Sequence, residues 1–343
     1  MIEIARFWAS KAEWNQARER YDIRGVIGPD EFHDRYPDRE APGIDNNAYT
    51  NLMAAWCIGR ALDLFDILPD QRSQELCERL RVERDEVVHW DNVSRRTYVP
   101  FQSDGIISQF EGYDALDEFD WKAYRHKYGS IRRLDLILNA EGLTTNSYKL
   151  SKQADVLMLF YLFSAEELAD LFDRLGYDFD PESIPRTIDY YLRRTSHGST
   201  LSGIIHTWVL ARASRRRSWS LFGEAVESDI QDVQGGTTRE GIHLGAMAGT
   251  VDVLQRCYAG LELREGKLHF HPMLPDELKH LSFAVRHRKH SLRVYLTHSA
   301  LTVTSESSDV DAITIAFDHR QLSLKPGEQV TLPLPLGQAR KAD

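Results

Sequence analysis

The sequence predicts a mostly α chain that ends in a small antiparallel β-sheet domain, and three observations carry this. Apolar residues recur at helical spacing from the first residues to about position 260. Beyond that point the period falls from 3.6 to 2. Glycine and proline then punctuate the alternating segments, as turns between strands require. The expected division is a helical part over 1–260 and a β domain over 261–343.

Taken in order, residues 23–27 form a strand-like run that enters the turn Gly28-Pro29. Ala48, Leu52, Ala55, Trp56, Gly59 and Leu62 mark one face of a helix. The next helical stretch, 64–80, is broken at Ile67-Leu68-Pro69-Asp70, because proline cannot continue a helix. Val156, Leu159, Phe160 and Phe163 define the most apolar helix, and Ser164-Ala165-Glu166-Glu167 opens another with a capping-box pattern. Further apolar helices are expected over 204–211 and 244–258, and Arg215-Arg216-Arg217 as a solvated helix end. The strands follow from Leu261/Leu263, Leu268/Phe270, Phe283/Val285, Leu292/Val294/Leu296 and Leu301/Val303, with Arg264-Glu265-Gly266-Lys267 as a hairpin turn. Polar stretches at 24–47, 97–113 and 231–244 are longer than helix packing needs, and such loops usually carry function.

Composition excludes several classes. The 343 residues hold 42 Lys and Arg against 52 Asp and Glu, a formal charge of −10, which argues against nucleic-acid binding. Apolar residues at 42% support a packed core and exclude disorder. The longest purely apolar run, 156–163, is far below the roughly 20 residues a membrane helix needs. Three cysteines (Cys57, Cys77, Cys257) form no disulfide framework, and the first residues lack the pattern of a secretory signal. A cytoplasmic protein that touches no membrane is expected. The histidines show no HExxH or HxxxH pattern around a polar loop, and those of the β domain (His269, His271, His280, His287, His290, His298) read as exposed strand or turn residues, so no metal site is expected.

Five stretches carry candidate chemistry. In Gly28-Pro29-Asp30-Glu31-Phe32-His33 the turn displays two acids, and an aromatic setting (Phe32, Tyr36, Trp56) would raise a carboxyl's pKa and make it a proton donor; decoration of a turn is the alternative. In Asp45-Asn46-Asn47-Ala48-Tyr49-Thr50-Asn51, Asp45 or Asn46 is the expected N-cap, and the surplus of amides suits sugar hydroxyls. Lys152-Gln153-Ala154-Asp155 heads the most apolar helix, where Lys152 and Gln153 bind a polyol or an anion, or are plain first-turn residues. Thr195-Ser196-His197-Gly198-Ser199-Thr200-Leu201-Ser202 and Gln234-Gly235-Gly236-Thr237-Thr238-Arg239-Glu240-Gly241-Ile242-His243-Leu244-Gly245 are hydroxyl- and glycine-rich loops running into helices, the parts of a phosphate cradle. Neither is a Walker or GxGxxG loop, and Ser199 beside His197 is not a nucleophile elbow.

Together and in this order, GPDEFH, DNNAYTN, KQADV, HGSTLS and GGTTREGIHLG resemble glycoside hydrolase family 65, the inverting phosphorylases of α-glucosides such as maltose, trehalose and kojibiose. RGVIGP and QFEGY look like the same family. The resemblance implies a partial (α/α)6 barrel followed by the β domain, and covers the C-terminal half of such an enzyme. It implies that Glu31 is the general acid, that Lys152 and Gln153 hold the sugar, and that Ser199, Thr200 and His243 bind phosphate. His197 and Gly198 would shape the phosphate loop, and Asp30 and His33 would orient Glu31. The implied partners are a disaccharide and inorganic phosphate as co-substrate, with no other cofactor, and either a homodimer or a separate N-terminal half. Two rival readings are a hydrolase with Glu240 or Asp232 as base and an inactive sugar-binding remnant.

Overall fold

The computed structural model describes residues 1–211, 213–232, 237–264, 266–317 and 320–334, with Thr237 and Glu240 described by their main chain only. The chain divides into two compact units, Met1–Ser199 and Thr200–Asp343.

The first unit opens with α1 (Ile2–Lys11) and the hairpin β1 (Ala12–Asn15) and β2 (Arg20–Ile23), in which Trp14 pairs with Tyr21. The expected strand over 23–27 ends at Ile23, because Gly25, at φ +65°, turns the chain so that Val26 bridges back to Ile44. The helix expected from Ala48 is α2 (Ala48–Ile67), and Pro69 separates it from α3 (Asp70–Leu80). α4 (Arg84–Arg96) follows, and one core gathers Ile2, Ala5, Ala9, Tyr21, Ile58, Ala61, Trp90 and Val93. Three of these eight are alanines, which let α1 and α2 approach closely around Trp90. Next come α5 (Trp121–Tyr128), α6 (Leu134–Ala140), α7 (Asp155–Leu162), α8 (Ala165–Arg174) and α9 (Ser183–Leu192). A second cluster of Phe32, Phe119, Ile131, Leu134, Leu138 and Leu150 anchors the loop after Glu31. The capping box forms as expected: Glu167 N–H donates to Ser164 Oγ (3.1 Å) and Ser164 N–H to Glu167 Oε2 (2.9 Å).

The N-cap of α2 is Asn47, not Asp45 or Asn46. Asn47 Oδ1 accepts from both the N–H and the hydroxyl of Thr50, at 2.9 and 2.8 Å. Asn46 is unavailable because it lies at φ +52° and its amide is bound elsewhere: Oδ1 accepts Ile23 N–H, and Nδ2 donates to Glu111 and Asp22.

In the second unit, α10 (Thr200–Leu210), α11 (Arg215–Glu227) and α12 (Leu244–Asp252) are followed by a π-helical turn, Val253–Tyr258. Arg216 and Arg217 are exposed at the start of α11, as a solvated helix end should be. Strands β3 (Leu261–Arg264), β4 (Lys267–Phe270), β5 (His280–His287), β6 (His290–Thr297), β7 (Ala300–Ser305), β8 (Ile313–Phe317), β9 (Arg320–Leu324) and β10 (Gln329–Pro333) form two four-stranded sheets of order β10-β7-β6-β5 and β3-β4-β8-β9. Inward residues of both sheets, among them Phe270, Val294, Leu296, Val303, Ile315 and Leu324, share one core. One pairing departs from the antiparallel expectation: β4 and β8 run parallel, which the long connection through β5–β7 permits. His290 is buried rather than exposed, with Nδ1 on Ser305 Oγ (2.8 Å) and Nε2 on the Asp311 carbonyl (2.7 Å). The other histidines of these strands and turns are exposed or half-buried. Among the described residues no helix is long and apolar enough to cross a membrane.

Candidate active site

The turn at 28–31 closes with Glu31 N–H on the Gly28 carbonyl (3.3 Å) and places Glu31 at φ +66°, a conformation a β-carbon makes costly. It displays only one of its two acids. The Glu31 side chain is 61% exposed, whereas Asp30 is buried. Asp30 is drawn inward because three N–H donors and His33 converge on it: Oδ1 accepts the main-chain N–H groups of Lys152 (2.7 Å) and Gln153 (3.2 Å), and Oδ2 accepts Gln109 Nε2 (3.0 Å) and faces His33 Nδ1 (3.2 Å). His33 Nε2 meets the Tyr148 carbonyl at 3.0 Å, so both ring nitrogens face oxygen acceptors.

The aromatic bed expected around the acid is engaged elsewhere. Phe32 packs into the cluster with Phe119 and Leu134, the Tyr36 hydroxyl donates to the Glu111 carbonyl, and Trp56 meets Phe163 edge-on. What the Glu31 carboxyl meets is an ammonium: Lys152 Nζ lies 2.7 Å from Oε2.

Lys152 also touches the first hydroxyl loop. Ser196 N–H donates to the Ser151 carbonyl (2.8 Å) and Gly198 N–H to the Lys152 carbonyl (3.0 Å), so 151–152 and 194–198 run alongside each other. A β-carbon on Gly198 would sit 2.7 Å from the Arg132 carbonyl oxygen and 2.9 Å from Lys152 Cγ, so only glycine fits there. His197, like Glu31 and Asn46, is a left-handed non-glycine residue in a predicted site segment, at φ +57°. Gln153 is buried, with Nε2 donating to the Pro29 carbonyl (2.8 Å) and Oε1 without a hydrogen-bond partner. Ser199 closes the first unit.

The amides expected to meet sugar are turned into the framework instead. Asn51 Nδ2 donates to Asn46 Oδ1 (3.0 Å) and the Tyr98 carbonyl (2.7 Å), and Asn47 Nδ2 donates to Asp155 Oδ2 (2.8 Å) and the Gln109 carbonyl (3.2 Å). Asp155 is wholly buried at the head of α7, and burial, then the charge of nearby Asp30, pushes its carboxyl up to about 8. Gln109 and Asp155 had no assigned role in the sequence reading. Gln109 lies inside the family-like QFEGY, but Asp155 looks like any first-turn acid.

In the second unit, Thr200 is buried at the first position of α10, and His243 immediately precedes α12. The two helices run side by side in the same direction, since a β-carbon on Gly245 would lie 3.1 Å from Leu201 and one on Gly249 2.8 Å from Ile204. Two helix N-termini thus lie together, each a positive dipole end. His243 is gripped by Asp229, a residue the sequence reading did not single out: Oδ2 accepts its main-chain N–H (3.0 Å) and Oδ1 meets Nδ1 (2.5 Å). That bond from His243 holds the Asp229 carboxyl below its ordinary range. It also fixes the tautomer with the proton on Nδ1. Gln234, Gly235 and Gly236, and the Glu240 side chain, lie outside the described residues, and Asp232 Oδ1 accepts Thr238 N–H at 3.3 Å. Among the described residues no group of three or more His, Cys, Asp or Glu is gathered as a metal ion would need.

A glycosyl hydrolase from Mycobacterium tuberculosis, itself uncharacterized, is 55% identical over 315 residues, which are 92% of this chain and 24% of that protein. The trehalose 6-phosphate phosphorylase of Lactococcus lactis is 35% identical over 339 residues, 97% of this chain and 41% of that enzyme. The chain therefore spans between a quarter and two fifths of these relatives' length. A solved structure, a candidate kojibiose phosphorylase from the human microbiome, superposes with a TM-score of 0.74 over 97% of this chain and 45% of its own, at 21% identity, and establishes the fold: part of an (α/α)6 barrel with a small β domain. Residues 1–252 match the glycosyl hydrolase family 65 central catalytic domain and 261–324 the family 65 C-terminal domain, so the chain belongs to glycosyl hydrolase family 65.

Proposed function

We propose that the protein catalyses inverting phosphorolysis of an α-linked glucose disaccharide, giving β-glucose 1-phosphate and a free sugar. The observation that carries the reading is Lys152. Its ammonium holds Glu31 at 2.7 Å while its carbonyl takes the Gly198 N–H at 3.0 Å, so the proton-donor turn and the first hydroxyl loop share one residue.

In this reading Glu31 protonates the glycosidic oxygen as the bond breaks, and phosphate attacks the anomeric carbon from the opposite face. Lys152 and Gln153 bind glucose hydroxyls, and Gln153 Oε1 is the acceptor left over for them. As sugar binds, Lys152 moves from Glu31 to the hydroxyls and Glu31 takes up the proton it later delivers. Asp30 and His33 keep the turn fixed. Ser199, Thr200 and His243 hold phosphate beside the two helix N-termini, with His197 and Gly198 shaping the loop. Phosphate needs orientation rather than activation, which removes the second carboxylate that an inverting hydrolase requires roughly 6.5–9.5 Å from the first. The relative named a trehalose 6-phosphate phosphorylase supports this chemistry. We further propose that residues 1–260 supply part of the barrel wall, completed by a second copy or by a polypeptide carrying the rest of a family-length protein.

The test is a screen of maltose, trehalose and kojibiose with and without inorganic phosphate, on this chain and on a protein of family length. Glucose 1-phosphate should appear only with phosphate. Equal release of free glucose in its absence would favour the hydrolase, with Glu240 or Asp232 as base.

A further inference from the structure

Asp155 is a wholly buried carboxyl that the mechanism above does not use. Its Oδ2 accepts Asn47 Nδ2 at 2.8 Å, and its Oδ1 is buried without a hydrogen-bond partner. The Asn47–Asp155 pair lies directly on Gly28, the first residue of the proton-donor turn: a β-carbon there would come within 2.6 Å of both Asn47 Nδ2 and Asp155 Oδ2. Gly28 in turn accepts the Glu31 N–H that closes the turn. Asn47 also binds the Gln109 carbonyl, and the Gln109 side chain donates to Asp30. Two routes therefore lead from Asp155 to the main chain of Glu31, one through Gly28 and one through Asn47, Gln109 and Asp30.

We propose that Asp155 is a positioning residue for the proton donor, its carboxyl seating Asn47 against Gly28 so that the turn holds Glu31 in its left-handed conformation. The proposal rests on the phosphorolytic reading above. The groups facing Asp155 are Asp30 from the turn, Asn47 and Tyr49 from the start of α2, Tyr113, and Tyr191 from α9; none is a cation. Burial, and then the charge of nearby Asp30, push the Asp155 carboxyl up to about 8, so it keeps its proton at neutral pH.

The test compares the wild type with D155N, D155A and G28A, by disaccharide phosphorolysis and by thermal unfolding. D155A and G28A should lower kcat about 100-fold with KM changed less than about 3-fold, the signature of a displaced catalytic group rather than lost binding. D155N, similar in shape and uncharged, should recover most of the kcat lost in D155A. The wild-type rate should fall more steeply than that of D155N above about pH 8. A D155A kcat within about 3-fold of wild type, or D155N as slow as D155A, would overturn the proposal. If D155A does not fold, D155N and G28A decide. If the wild type forms no glucose 1-phosphate even within a protein of family length, the phosphorolytic reading fails and the thermal arm judges Asp155 alone. The folded protein then holds a proton that the unfolded chain has released, so the wild type should lose stability relative to D155N as pH rises from about 4 towards 8, with no further change above. A difference in Tm that is flat with pH would overturn the neutral buried carboxyl.

Discussion

Glu31 combines an exposed carboxyl with a left-handed main chain, and Asp30, one residue earlier, is anchored by the N–H groups of Lys152, Gln153 and the Gln109 amide and by His33. If the carboxyl supplies the proton, E31Q should lower phosphorolysis at least ~1,000-fold, as expected for removal of a general acid, with Tm kept because the side chain makes only an exposed ion pair. Glucose 1-phosphate release and a melting curve check both halves. Asp229 offers an independent test: D229N weakens the grip on His243, so KM for phosphate should rise about 10-fold with KM for the disaccharide unchanged. Initial rates against phosphate concentration measure it. Glu31, Lys152 and the hydroxyl loops stand out in one dimension as acids, glycines and hydroxyls in unusual runs, and the roles proposed for them come from the family resemblance. Asp155 and Asp229 do not, since burial and the choice of partner are tertiary properties. The aromatic bed expected around Glu31 failed for the same reason: proximity in sequence did not say which way Phe32 and Tyr36 would turn.

At the level of elements, local rules served well wherever a few neighbouring residues decide. The Ser164–Glu167 capping box and the Pro69 break appear where the letters place them. S164A should cost about 1 kcal/mol, read as a shift in the urea midpoint at constant m. The α2 cap moved to Asn47 because Asn46 is held by long-range partners, which outweigh position in the local pattern. The parallel pairing of β4 with β8 was likewise out of reach, since a period of 2 tells which face is buried and not which strand lies alongside. The shared direction of α10 and α12 came from small residues, Gly245 and Gly249, that admit Leu201 and Ile204. A pattern of apolar faces alone does not specify it.

For the molecule as a whole, the fold class was readable because periodicity persists over hundreds of residues and changes only once, near position 260. The family was readable from five short stretches in a fixed order, none of which is decisive singly. The structure adds the means by which distant segments meet in the first unit: one buried carboxyl, Asp30, ties residues 30, 109 and 152–153 together, and one lysine joins Glu31 to Gly198. The central claim is that a protonated Glu31 and an oriented phosphate act on opposite faces of one sugar. Its most direct measurement is the anomeric form of the first product, followed by proton NMR during turnover of an α-linked disaccharide with phosphate. The account predicts β-glucose 1-phosphate from the first time point, with none formed when phosphate is left out. An α-configured phosphate ester, or free glucose as the first product, would contradict it.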